Sequence, residues 1–280
     1  MVESPKPLLT FRRPPLTEVA LSVQFQPLDA MRTAHVGLLW NEFRREFPNI
    51  EDLPPLAPAF ELFGARRSVS GDLSVELSGP LLNRAWFLNR ERTQLIQVQR
   101  DRLIHNWRQV GPSDEYPRYE AIREVFKNEL EVFRAFVERE GLGDLIPNQV
   151  EVTYVNHIVA GEGWSSHADL ARIVTFFRGG SGDSSLPPPE EAEMVVHYTM
   201  RNDKGEPLGR LHVAVQPLCR RVDGAPIYQL RLTGRGRPEA ADLSGVLEIM
   251  DCARGWAVLG FSEVTTPEMH ALWQREDRGA

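Results

Sequence analysis

The stretch MVVHYTMRNDKGEPLGRLHVAVQ, Met194 to Gln216, decides the fold class. Two runs rich in Val, Thr and other strand formers flank NDKGE, Asn202 to Glu206. Met194 to Met200 and Leu208 to Gln216 read as strands. A tight turn at Asn202 to Glu206 makes the two runs an antiparallel hairpin. The register of that hairpin puts His197 opposite His212 and Thr199 opposite Arg210.

The flanking sequence extends the pattern. Ile227 to Thr233 continues the meander, and a helix over residues 240–261 follows. Leu243, Val246, Leu247, Met250, Ala257 and Phe261 line its apolar side. Upstream, Val150, Val152, Tyr154, Asn156 and Ile158 share one face of a strand. Asp169 to Phe177 reads as a short helix and Gly179 to Pro189 as a loop.

The first half has a similar order. Val19, Leu21, Val23 and Phe25 alternate as a strand, with Asp29 as the expected N-cap of the next helix. Val36, Leu39, Trp40, Phe43 and Phe47 lie at helical spacing. Residues 48–60 carry Pro48, Pro54, Pro55 and Pro58 and read as an irregular connection. Ser68 to Leu77, Arg84 to Asn89, Thr93 to Gln99 and Arg102 to Trp107 are strand candidates. A long helix over residues 117–140 follows, with Ile122, Phe126, Leu130, Phe133 and Val137 as its stripe and Gly141 and Gly143 as its stop.

The expectation is therefore α+β: two β-α-β(3–4)-α units, each an antiparallel sheet covered by a long helix. Residues 1–145 form the first unit. Residues 146–280 form the second, with a C-terminal helical tail around Met269, Leu272 and Trp273. The element order is similar to a helix-grip or TATA-binding-protein-like tandem. It leaves open whether the halves share one sheet.

The 280 residues are 42% hydrophobic and 25% charged, a globular balance with net charge -7. An acidic surface disfavours nucleic acid. Lys6, Lys127 and Lys204 are the only lysines among 32 basic residues, so 29 are arginines. That skew fits codon bias, or selection for forked contacts to carboxylate or phosphate. Cys219 and Cys252 are the only cysteines and do not suggest secretion. Met1 to Thr10 lacks the apolar core of a signal peptide, and no run of 18 apolar residues could span a membrane. The chain is expected in the cytoplasm, with no membrane partner and no cofactor.

Four segments carry a resemblance. PPLTEVALSVQFQPL (14–28), HVGLLWNEF (35–43), VQRDRLIHNWR (98–108) with YPRYE (116–120), and GFSEVTTPEMHALWQR (260–275) resemble a sporadically distributed family of uncharacterised bacterial proteins. The likeness covers nearly the whole chain. It implies accessory or mobile-element cargo, with phage defence among the roles, and it implies no particular activity.

The densest polar-aromatic cluster is Asn106, Trp107, Arg108, Tyr116, Arg118 and Tyr119, next to His105. Arginine and aromatic groups together suit a recognition surface. The plainer reading puts Trp107 in the core and uses Arg108 and Tyr116 to tie strand to helix. His197 and His212, with Arg210 beside them, are the second candidate. Cross-strand imidazoles could share a metal, but zinc needs three or four ligands and no third falls on that face. No nucleophile elbow, phosphate-binding loop or dinucleotide fingerprint occurs.

These features point first to a non-catalytic binding or interaction protein whose partner is a protein or a small molecule, with a homodimer as one form. The alternative is a metal-dependent, hydrolase-type enzyme using His197 and His212.

Overall fold

A computed structural model describes residues 9–63, 83–178, 185, 187, 189–220 and 223–276. Its elements run β1 (Thr10–Phe11), β2 (Leu16–Phe25), α1 (Thr33–Phe43), β3 (Asn49–Leu53), β4 (Arg84–Leu88), β5 (Gln94–Gln99), β6 (Arg102–Arg108), α2 (Tyr119–Arg139) and β7 (Pro147–Val159). A 3-10 helix (His167–Arg172), β8 (Met194–Arg201), β9 (Pro207–Cys219), β10 (Pro226–Gly236), α3 (Leu243–Val264), α4 (Pro267–Leu272) and β11 (Arg275–Glu276) complete the chain.

The expected pair of helix-covered β-α-β units is not what forms. The main feature is a single antiparallel sheet of nine strands in the order β3-β4-β5-β6-β2-β7-β10-β9-β8, beside a two-stranded ribbon of β1 and β11. Among the described residues, only α1, α2 and α3 reach seven residues. The repeated element order misleads because alternation specifies which face of a strand is buried, not which strand lies beside it. Among the described residues, the second half also has no counterpart of α1. Asp169 to Phe177 gives way to the six-residue 3-10 helix, opened by Ser166, with Asp169 accepting from the Ser165 and Ser166 N–H groups.

Two further local expectations are corrected. Asp29 does not cap α1. Arg32 stands at that position, and His35 Nδ1 accepts its N–H at 2.9 Å. The proline-bearing connection contains β3, whose Ile50 pairs with Phe87. Pro48 and Pro54 lie just outside that strand, where a missing N–H costs no ladder bond. Ser68 to Leu77 lies outside the described residues, as does most of Gly179 to Pro189.

Cα proximity groups the chain into two compact units. One comprises residues 1–19, 152–234 and 251–280, and the other residues 20–151 and 235–250. In the second, the inward faces of β2 and β4 meet the helices. Phe25 packs on Phe133 of α2 with ring centroids 5.5 Å apart, and Phe87 packs on Phe43 of α1 at 6.4 Å. Leu21, Val23 and Phe25 of β2 alternate on one face and are buried, as the period-two pattern requires.

In the first unit, the hairpin of β8 and β9 has the expected register: His197 faces His212 and Thr199 faces Arg210. Leu211, Val213 and Val215 of β9 and Leu230 and Leu232 of β10 are buried. Helix α3 approaches closely at glycines: a Cβ on Gly260 would lie 2.6 Å from Leu211 Cδ2. The C-terminal tail packs within the chain. Met269 and Trp273 are buried, and Trp273 contacts Phe261 at 5.1 Å and Phe11 at 6.2 Å between centroids. Leu272 is exposed.

Candidate binding site

Period-two alternation divides the residues of β4, β5 and β6 between two environments. Ala85 and Phe87 of β4, Ile96 and Val98 of β5, and Leu103, His105 and Trp107 of β6 are buried on the helix-bearing side. Arg84, Trp86, Gln97, Gln99, Arg102, Asn106 and Arg108 take the other side, as the pairings Trp86↔Gln97, Leu95↔Asn106 and Gln99↔Arg102 dictate.

Gln97 is the centre of this polar face. Its Oε1 accepts from Arg84 Nη1 at 2.9 Å and from Trp86 Nε1 at 3.0 Å. Its Nε2 donates to Asn106 Oδ1 at 2.6 Å. Those bonds fix the side-chain amide, because only its oxygen can accept two N–H groups. Trp86 lies beneath two guanidinium groups, with Arg84 Cζ 5.5 Å and Arg108 Cζ 5.4 Å from its ring centroid. Cation–π attraction holds both arginines over the indole.

A second polar network adjoins it. Arg102 donates to Gln24 Oε1 and, at 3.3 Å, to the Ala57 carbonyl. Gln99 donates to Asp101 at 2.5 Å and exchanges 3.0 Å bonds with the backbone of Leu56. Ala59 N–H donates to Gln24 Oε1 at 2.9 Å. Residues 54–63 are thus clipped to the polar face by side-chain amides, and Arg235 closes the far end with ion pairs to Glu61 and Glu151.

The electrostatics of the face are unbalanced. Among the described residues, Arg84, Arg102 and Arg108 form no ion pair with a carboxylate, and the Nε of each lacks a hydrogen-bond partner. The nearby acids are already engaged: Glu51 with Arg92, Glu61 and Glu151 with Arg235, and Asp101 with Gln99. Burial, and then the charge of Arg102, lower the pKa of Arg84.

The expected cluster at the end of β6 is therefore split. Asn106 and Arg108 belong to the polar face. Trp107 is buried on the other side, its ring 5.3 Å from that of Tyr116, and Tyr119 is buried at the start of α2. Arg118 is exposed and has φ 73°, ψ 155° at the residue before α2. Beneath β6, His105 Nδ1 lies 2.9 and 3.0 Å from the two oxygens of Glu129. Burial pushes the Glu129 pKa up, against the opposing effect of His105. Arg84, Trp86 and Gln97 escaped the sequence reading. Their period-two spacing within each strand was visible, but the adjacency of β4, β5 and β6 side chains on one face was not assembled from it.

In the first unit, His197 and His212 meet edge to face with ring centroids 4.6 Å apart, and both are partly exposed. Arg210 lies two residues before His212 on β9, on the same strand face. Among the described residues, no three His, Cys, Asp or Glu groups are placed to hold one metal ion. His157 pairs instead with Gln229 at 3.2 Å, and burial lowers its pKa.

No protein-family model matches the chain, and neither a curated protein nor a solved structure matches it. No helix among the described residues is long and apolar enough to cross a membrane. The class that fold and site define is a mixed α/β protein with a large antiparallel sheet and an arginine-rich polar face on β4, β5 and β6.

Proposed function

We propose that this is a non-catalytic binding protein that holds a polar ligand on the half-exposed Arg84, Trp86 and Arg108, which the buried Gln97 and Asn106 support from within the sheet face. One observation carries the reading: Gln97 and Trp86 pre-order two guanidinium groups that no carboxylate of the described residues neutralises. Pre-ordering lowers the entropy lost on binding. A structural role alone would favour pairing these charges, as Arg235 is paired with Glu61 and Glu151. The resemblance noted above would place such a protein among accessory components of bacterial defence or mobile-element systems.

The test is thermal unfolding of the full chain against a library of small molecules, run in parallel on Arg108→Gln. A ligand at a hundred times its Kd stabilises the wild type by about 2.7 kcal/mol. The proposal expects at least one ligand that raises the wild-type midpoint and loses that effect in Arg108→Gln. A library in which every hit acts equally on both proteins overturns it.

A further inference from the structure

Resting on that binding reading, we infer that the face is an oxyanion site, built for a ligand bearing two or more negative charges, such as a phosphate ester or a dicarboxylate. The argument is one of charge and geometry. Arg84, Arg102 and Arg108 come from two strands and share one face of β4, β5 and β6. Arg102 is only 5% exposed, yet its Nε has no hydrogen-bond partner among the described residues. Its Nη2 is matched by Gln24 and the Ala57 carbonyl, which are neutral acceptors and leave its charge uncompensated. The half-buried Arg84 and Arg108 also have unmatched Nε groups, but so do the ion-paired Arg100 and Arg235, and what sets Arg84, Arg102 and Arg108 apart is that no carboxylate among the described residues pairs with them.

Three cations that no carboxylate among the described residues neutralises call for more than one negative charge. A monoanion would leave two of the three positive charges uncompensated, whereas a dianion leaves one. Guanidinium forks match the paired oxygens of phosphate and carboxylate equally well. Gln97 sets the position: with its oxygen accepting from both Arg84 and Trp86, it holds one fork in place before any ligand arrives. Trp86 sets the other, because Arg84 and Arg108 both rest on its ring. A ligand that draws either guanidinium away alters the environment of the indole. That gives the site an optical signature.

The experiment uses the full chain and four probes at constant ionic strength: inorganic phosphate, pyrophosphate, succinate and neutral glycerol, with sodium chloride as the matched control. Binding is read by tryptophan emission and by the thermal midpoint, in wild type, Arg84→Gln, Arg108→Gln and Trp86→Phe. The expected result is saturable binding of at least one dianion and none of glycerol or chloride. Affinity should fall about tenfold or more in each arginine variant, the loss expected for one charged hydrogen bond. The emission change should vanish in Trp86→Phe. Phosphate against succinate distinguishes the two ligand sources. Arg84→Gln gives up the bond to Gln97 and the contact with Trp86, so its far-UV spectrum is checked for folding and its ligand response is read as the shift from its own apo midpoint. Equal responses to dianion and chloride, or affinities unchanged in both arginine variants, overturn the inference. If a neutral ligand binds through Trp86 while no dianion does, the binding reading stands and the oxyanion assignment falls. If no ligand of either kind distinguishes wild type from Arg108→Gln, both fall.

Discussion

Gly234 of β10 lies so close to Ala253 of α3 that a Cβ on it would stand 2.5 Å from the Ala253 carbonyl oxygen and 2.9 Å from its Cα. The obstruction is backbone, which cannot rotate away. Gly234→Ala must therefore push helix and strand apart. The expected cost is about 1–3 kcal/mol, as for other overpacked cores. Gly255, on the same helix, has open space where a Cβ would be. Gly255→Ala should stabilise by about 0.5–1 kcal/mol through helix propensity. Chemical denaturation of the two variants beside wild type checks both signs.

Glu129 gives the folded chain a specific pH dependence. Burial favours its neutral acid, so its pKa in the folded chain lies above that in the unfolded chain. Folding then takes up a proton. This contribution to stability is complete below the unfolded-state pKa and is lost as pH rises through the raised folded-state value. Glu129→Gln keeps an amide oxygen to accept from His105 and removes the titration. Urea midpoints of wild type should therefore fall relative to Glu129→Gln as pH rises from the ordinary carboxylate range. A pH-independent difference between the two would rule out a raised Glu129 pKa.

Arg118 holds a backbone conformation that suits glycine. Its φ of 73° with ψ of 155° lies where a Cβ is strained. Arg118→Gly should relieve that strain and stabilise the chain by about 1 kcal/mol, reduced by the extra freedom glycine gives the unfolded state. The thermal midpoint reports the sign. A fall in the midpoint would mean that the exposed guanidinium contributes more than the strain costs.

Trp273 anchors the C-terminal tail between Phe261 and Phe11. It is 2% exposed, and its indole Nε1 has no hydrogen-bond partner among the described residues. Its contribution is therefore packing. Trp273→Ala should cost about 3–5 kcal/mol. Trp273→Phe should cost much less, since it surrenders no hydrogen bond. If the two variants unfold at the same denaturant concentration, ring packing is not what Trp273 supplies.

Local periodicity made most elements legible in the chain itself. Alternation marks β2 through Val19, Leu21, Val23 and Phe25, and helical spacing marks α2 through Ile122, Phe126 and Phe133. The polar turn at Asn202 to Glu206 was enough to set His197 against His212, because a short hairpin leaves few registers. Side-chain direction on β6 was legible too: Asn106 and Arg108 are separated from Trp107 by the same period of two, and the expected single recognition cluster overlooked it.

Tertiary structure alone decided the rest. Joining the strands into one nine-stranded sheet rests on neighbours more than a hundred positions apart in the chain, such as β2 beside β7. Nothing in a strand's own sequence records its neighbour, since backbone hydrogen bonds are the same for every residue but proline. For the same reason the polar face was hidden. Arg84 and Trp86 meet Gln97 and Arg108 only after β4, β5 and β6 are laid side by side. Period and turn chemistry are properties of adjacent residues; strand order and the charge left unbalanced on a face are properties of the folded whole.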